Sequence, residues 1–364
     1  MHKSAAWPLA LFFGGLVVYA SLYPFADWRD QGIAPWAFLG APLPRYWTGF
    51  DLAINVVGYA PLGGLLALSS LRTGLVRHAI VVPLLAASVL ALLMEMLQSY
   101  LPARIPSRED WLLNTFGAAL GAFVTVLLAK LGAIDRWSRI RSRWFVPQSH
   151  GGLVLLALWP LALLFPPAVP FGLGQVMERL EEAIGAQLVD TPFLEWLPMR
   201  ETDLQPLVPG AEMVCVLLGL LIPCLLGFCV IRAVTRRALF VLMVVGVGVA
   251  ATALSAALSW GPGHAWAWLG LPAQVGMAMA LFLSLALTFV PWRASAALLL
   301  LSLGVYLSLL NQAPESAYFT QTLHAWEQGR FIRFHGLAQW LGWLWPYAAL
   351  VYVLSLIWQR DARN

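Results

Sequence analysis

Residues 51–71 read DLAINVVGYAPLGGLLALSSL, an unbroken apolar run opened by an acid and ended just before Arg72. At about 1.5 Å of rise per residue, a helix of this length crosses the roughly 30 Å hydrocarbon core of a bilayer. Its polar residues keep a helical register: Asp51, Asn55 and Tyr59 recur every four residues and share one face. A continuous run lacks the period-two alternation of a half-buried strand, and an open sheet edge cannot persist in lipid. Comparable runs follow at 7–25, 78–100, 110–130, 151–169, 212–231, 237–259, 266–290, 293–311 and 336–358. The chain therefore reads as all-α, a polytopic transmembrane bundle of about ten spans. Its composition agrees: 60% of the residues are hydrophobic and 11% charged, against about 25% charged in a soluble domain.

The basic residues orient the bundle. With Met1 in the cytoplasm, the inner segments hold fourteen of the 22 lysines and arginines, among them Lys3, Arg72, Arg77, Lys130, the Arg136–Arg143 run, Arg232, Arg236, Arg237, Arg293, Arg360 and Arg363. Of the 18 acids only Asp135 and Asp361 fall there. Positive charge held inside places both termini in the cytoplasm. The first apolar run ends without a small-x-small cleavage site, so it is expected to remain as the first span.

Four parts are expected: a four-helix unit over 1–131, a cytoplasmic basic linker over 132–150, a second transmembrane unit over 151–290, and a C-terminal helix pair over 291–364. The linker's arginines hold it inside and touch anionic lipid. Outer loops are expected at 26–50, 170–211 and 312–335. The first carries Trp28, Trp36, Tyr46 and Trp47, suited to the headgroup level. In the second, Val176, Leu180, Ile184 and Leu188 recur every four residues, with Glu178, Glu181 and Glu182 off the stripe, as in a helix lying on the membrane surface. The stretch around Pro61 and Arg72 is echoed around Pro223 and Arg232, which suggests two degenerate four-span repeats, parallel in the membrane. The alternative is that hydrophobic hairpins resemble one another. In the echo, Ala257 or a neighbour takes the place of Glu95, and Gly276 that of Asn114. Cys215, Cys224 and Cys229 share one apolar run and read as small buried hydrophobes.

The chemistry is concentrated between Asp51 and Gly121. Glu95 and Gln98 lie near the outer end of the third span. Asp110 and Asn114, four apart, open the fourth, and the loop before it supplies Arg104, Ser107, Arg108 and Glu109. Spans two and four begin outside and span three ends outside, so Asp51, Asn55, Glu95, Gln98, Asp110 and Asn114 are expected at one depth. An acid at mid-membrane costs around 2.5–3.5 kcal/mol by insertion scales, so Glu95 should be paired or protonated, with Arg104 or Arg108 folding back to meet it. Gly117 and Gly121 form a small-xxx-small face for close approach of the fourth span. Ser107 reads as a cap rather than a nucleophile, since no histidine is near it in sequence.

The pattern Asp51-x-x-x-Asn55-x-x-x-Tyr59-x-Pro61-Leu62-Gly63, then Glu95-x-x-Gln98, then Arg104-x-x-Ser107-x-x-Asp110-x-x-x-Asn114-x-x-Gly117-x-x-x-Gly121 resembles the signature of the VanZ-like family. The resemblance covers about the first 130 residues. Beyond them the chain is similar to longer bacterial members, with a weaker motif at Trp326-Glu327-Gln328-Gly329-Arg330-Phe331. It implies a bacterial inner membrane, periplasmic outer loops and an association with glycopeptide (teicoplanin) resistance. It implies no mechanism.

Three readings of the cluster stand. In the first it recognises a membrane lipid, a lipid-linked envelope precursor or a lipid-like antibiotic, with Arg104 and Arg108 clasping an anionic headgroup while Glu95 and Asp110 hold them. In the second it is an intramembrane enzyme with Glu95 and Asp110 as acid and base on a lipid-linked substrate. In the third the polar residues lock the helices of a scaffold for envelope proteins. The binding candidates are Asp51, Asn55, Tyr59, Glu95, Gln98, Arg104, Ser107, Arg108, Asp110 and Asn114. No cofactor is expected, for there is no P-loop, GxGxxG or HExxH. The scattered histidines His78, His150, His264, His324 and His335 predict no metal site. No basic stripe interleaved with aromatics suggests nucleic acid, and the sequence names no protein partner.

Overall fold

The computed structural model of the chain describes residues 6–23, 25, 27–41, 49–147, 149–189, 191–193, 204–314 and 332–361. Lys3, Tyr46, Trp47, His324, Arg363 and the 326–331 motif lie outside the described residues, as do the side chains of Asp51, Glu182, His335 and Asp361. Regular structure among them is helical, and the sole β feature is an isolated bridge between Phe145 and Ile231. Every apolar run contains a helix: α1 (Ala6–Leu22), α2 (Gly49–Arg72), α3 (Val81–Gln98), α4 (Arg108–Lys130), α6 (His150–Ala162), α8 (Pro209–Val230), α9 (Val234–Trp260), α10 (Leu271–Ala286), α11 (Trp292–Leu310) and α12 (Ile332–Asp361). Eight of these, α10 with the 3-10 turn that follows it, are long and apolar enough to cross a membrane, while α1 and α6 are shorter. Two further helices are amphipathic: α5 (Ala133–Trp144) and α7 (Met177–Leu188). The basic stretch expected as a linker is thus mostly helix, with Ala133, Trp137, Ile140 and Trp144 on one face and the arginines around the rest.

The chain forms two compact units, Met1–Ile140 and Arg141–Asn364. In the first, α2 packs against both α4 and α3, and α1 lies against α2 and α3. Val17, Tyr59, Leu62, Ala87, Ala91 and Ala118 form its core. Most of the apolar surface of these helices stays exposed, as lipid-facing side chains require.

The second unit is built around α8, whose residues from Cys215 to Val230 are all buried, the three free cysteines among them. A helix apolar on every side needs neighbours on every side, and α6, α9, α10 and α11 supply them. Gly276 brings α10 against α8, where an added Cβ would lie 2.6 Å from the Met213 carbonyl. Helix α6 stops at Ala162, short of the expected run to 169, because the sequence continues LLFPPAVP. The ring of Pro166 would clash with the Ala162 carbonyl, and a residue preceding proline is pushed out of the helical region.

Residues 163–175 are irregular and largely buried. Irregular backbone is tolerated inside a membrane protein only where its polar groups find partners, and here they do. Tyr306 Oη donates to the Phe171 carbonyl at 2.6 Å and accepts from Leu173 N. Asn311 Oδ1 accepts from Val176 N and Met177 N, both at 3.0 Å, and so caps α7. Gly342 O accepts from Gly174 N at 2.8 Å. At the other end of the unit, buried Arg237 donates to four carbonyls: Phe228 (2.8 Å), Ile231 (3.1 Å), Thr288 (3.0 Å) and Val290 (2.6 Å). These lie where α8 and α10 run out of helical donors, and a guanidinium with five N–H groups satisfies them at once.

Candidate functional site in the first unit

Glycines decide how the polar residues meet. A Cβ on Gly121 would lie 1.9 Å from the Ala60 carbonyl oxygen, one on Gly117 would lie 2.3 Å from that of Val56, and one on Gly63 would lie 2.0 Å from that of Ala118. Backbone touches backbone at all three points. Residue numbers rise together along α2 and α4, so the two helices are parallel and begin at one end. Helix α3 runs the other way: its Ser88 meets Trp111 and Thr115 of α4, while Glu95 meets Ser107 at the start of α4. Hydrogen bonds and register thus gather Asn55, Glu95, Gln98, Asp110 and Asn114 toward the end where α2 and α4 begin and α3 ends.

Most of these side chains are committed to one another or to backbone. Asn55 Nδ2 donates to Asp110 Oδ1 at 2.7 Å, tying α2 to α4. Glu95, only 2% exposed, accepts the Ser107 backbone N–H at 2.8 Å through Oε2. Ser107 caps α4, its hydroxyl accepting from Glu109 N (3.2 Å) and Asp110 N (3.5 Å). With Glu109 and Asp110 in the first turn, negative charge sits where the helix dipole favours it. Gln98 Nε2 donates to the Ser21 carbonyl at 3.0 Å, and Arg104 Nη2 donates to that of Tyr23, which sews the loop before α4 to the end of α1. Tyr59 is buried with its hydroxyl in the electrostatic neighbourhood of Glu95 and beside Ser21.

Three of the ten candidates differ: the Tyr59 hydroxyl is buried with no hydrogen-bond partner among the described residues, and Asn114 and Arg108 stand outside the network as well. Asn114 is 6% exposed, and its Oδ1 is buried with no hydrogen-bond partner. Arg108, half-buried at the first position of α4, has no hydrogen bond or ion pair among the described residues. Below it on the same face, at steps of four, Leu112, Phe116, Leu120 and Val124 are all exposed. Arg104 or Arg108 was expected to fold back onto Glu95, and of the two Arg108 does not. As its first residue, Arg108 lies on a different face of α4 from Asp110 and Asn114, at about 100° per residue.

Three participants escaped the sequence reading, Ser88 and the carbonyls of Ser21 and Tyr23. Ser88 receives Trp111 Nε1 at 3.1 Å and Thr115 Oγ1 at 3.2 Å, and it lies seven residues before Glu95 on one helical face, a spacing that would have shown it. Glu109, named from the sequence as part of the loop before α4 and not as a binding candidate, is buried with Oε1 unpartnered. The carbonyls of Ser21 and Tyr23 carry no signal in the sequence, since every residue has one. Among the described residues, no group of three histidine, cysteine or acidic side chains is placed to hold a metal ion.

An all-helical chain with eight membrane-length apolar helices and a polar cluster near one end of three of them is a multi-pass membrane protein. Residues 8–129 match the family model described as VanZ/LLP1, and over that region the chain is similar to that family. The match runs from within α1 to within α4 and takes in all ten candidate residues. No curated protein and no solved structure matches the chain.

Proposed function

We propose that the first unit recognises the anionic headgroup of an amphiphile in the outer leaflet of a bacterial inner membrane, with both chain termini in the cytoplasm. The ligand class is a lipid-linked cell-wall precursor or a lipid-like antibiotic, held without covalent turnover. Arg108 is the observation that carries this reading: a half-buried guanidinium, unpaired among the described residues, above an exposed apolar stripe. An amphiphile lying along α4 sets its chain against Leu112, Phe116 and Leu120 while its phosphate or carboxylate takes the fork of Arg108. The helix gives that cation no relief, because position one of α4 is the positive end of its dipole.

Acid–base chemistry draws less support. Glu95 is buried and has one oxygen on the Ser107 amide, whereas a general acid or base must reach the reacting proton. The test is retention of a long-chain alkyl phosphate by the purified full-length protein, read by native mass spectrometry. Arg108→Gln should lower retention roughly tenfold or more, the worth of a charged hydrogen bond of about 1.5–3 kcal/mol. Unchanged retention removes the proposal. Arg104→Gln is the poorer probe, because it also releases the Tyr23 carbonyl.

A further inference from the structure

The end of the second unit where α8 stops and α9 starts gathers arginines. Phe145 bridges Ile231, Val146 N donates to the Val230 carbonyl at 2.9 Å, and Arg232 N donates to that of Trp144 at 3.1 Å. This backbone clasp brings Arg141 and Arg143, in the last turn of α5, to the turn that carries Arg232 and Arg236. The Arg236 guanidinium lies 5.1 Å from the centre of the Trp144 ring, and its Nη1 donates to the Arg143 carbonyl. Arg141 touches His150. Arg143 and Arg232 are exposed, and their side chains have no partner among the described residues. The described carboxylates of this unit are elsewhere: Glu212 is in the first turn of α8, the opposite end of that helix, and Glu178 and Glu181 are on α7. The start of α7 is held by Asn311, just past the end of α11 away from Trp292, whereas at the Trp292 end Arg360 lies 4.3 Å from the ring and donates to the Cys229 carbonyl of α8.

We infer that this clasp binds the phosphate of an anionic phospholipid in the adjoining leaflet. Four guanidiniums with no described carboxylate among them repel one another until an anion arrives, and the arginine fork fits phosphate oxygens in pairs. Stacking on Trp144 fixes Arg236 beforehand while leaving most of its N–H groups for a ligand, so little side-chain freedom is lost on binding. Depth selects the source. Arg232 lies two residues past the end of α8 and Arg236 is in the first turn of α9, both membrane-length helices, with an interfacial tryptophan beside them. At that level the available phosphate belongs to a lipid. This site is independent of the one around Arg108.

The probe is full-length protein in phosphatidylcholine nanodiscs with or without phosphatidylglycerol, with bound lipid counted by native mass spectrometry after release. The Arg143→Gln/Arg232→Gln pair removes two side chains that make no contact of their own, while the clasp uses backbone atoms that survive the change. Basic residues near an anionic surface contribute about fivefold each, so the pair should lower phosphatidylglycerol retention roughly 25-fold and leave phosphatidylcholine unchanged. The Arg72→Gln/Arg77→Gln pair in the first unit removes the same charge and should lower retention far less. Equal retention of both lipids by the unaltered protein overturns the inference, as does equal loss from the two variant pairs. Displacement of the lipid by inorganic phosphate at matched concentration also overturns it, because the site would then belong to free phosphate.

Discussion

Adding one methyl group at Gly121 tests the geometry on which the first unit rests. The new Cβ would fall 1.9 Å from the Ala60 carbonyl oxygen and 2.7 Å from its carbon, about 1.5 Å inside ordinary van der Waals contact. Both atoms belong to helix backbone, so no side chain can swing aside and α2 and α4 must separate. A shift of that size takes the 2.7 Å Asn55–Asp110 bond beyond hydrogen-bonding range. Overpacking costs about 1–3 kcal/mol, and a bond between spans is worth about 0.6 kcal/mol. Against this, replacing glycine by alanine in a helix gains about 0.5–1 kcal/mol. The net expectation for Gly121→Ala is a loss of about 1–3 kcal/mol. Gly58→Ala on α2 makes the same chemical change where nothing lies within 4 Å of the new Cβ, so only the helical gain should appear, about 0.5–1 kcal/mol of stabilisation. The assay is reversible unfolding of the full-length protein in mixed micelles, following tryptophan fluorescence. If Gly121→Ala were as stable as the unaltered protein, or if both variants moved alike, the backbone contact between α2 and α4 would be wrong and the gathered polar cluster with it.

Other substitutions separate support from recognition. Arg237→Met leaves four buried carbonyls without a donor and should cost about 3 kcal/mol or more in the same unfolding assay. Tyr306→Phe removes the group that joins the Phe171 carbonyl to Leu173 N and should cost about 1–3 kcal/mol, with faster amide exchange at Leu173 as its local signature. Asn114→Leu removes a buried acceptor that has no partner and should raise ligand-free thermal stability by about 1 kcal/mol, whereas Asn55→Ala, which takes a donor away from Asp110, should lower it.

Much of the fold was readable because membrane helices need length and apolarity, both visible in sequence. Asp51–Asn55–Tyr59 and Asp110–Asn114 announced their faces through a spacing of four, and the glycine pair at 117 and 121 announced the close approach. Other features depend on partners that leave no trace. Arg104 was read as a ligand-binding cation, and its Nη2 meets the carbonyl of Tyr23, an acceptor that any residue would supply. Glu95 was expected to be met by Arg104 or Arg108, and one of its oxygens takes the backbone N–H of Ser107, a donor that any residue but proline would supply. The ending of α6 was available in the PPxxP run and was overridden by hydropathy alone. In α5 the apolar face of Ala133, Trp137, Ile140 and Trp144 was present too, masked by the density of charge around it.

The distinction between a polar lock and a recognition site turns on what is left over after the helices are tied. Asn55 with Asp110, Glu95 with Ser107, Gln98 with Ser21, and Ser88 with Trp111 already join α1, α2, α3 and α4. A lock made of those bonds is complete without Arg108 and Asn114. Keeping a half-buried cation at the positive end of α4 costs about 0.3–1 kcal/mol, and burying an unpartnered carbonyl oxygen costs about 1–3 kcal/mol. Apolar residues at both positions would remove those costs and leave every one of the joining bonds in place. Arg108 and Asn114 therefore stand outside the joining bonds, and it is on them, with the unpartnered Tyr59 hydroxyl, that the proposed recognition of an anion and a hydrogen-bond donor depends.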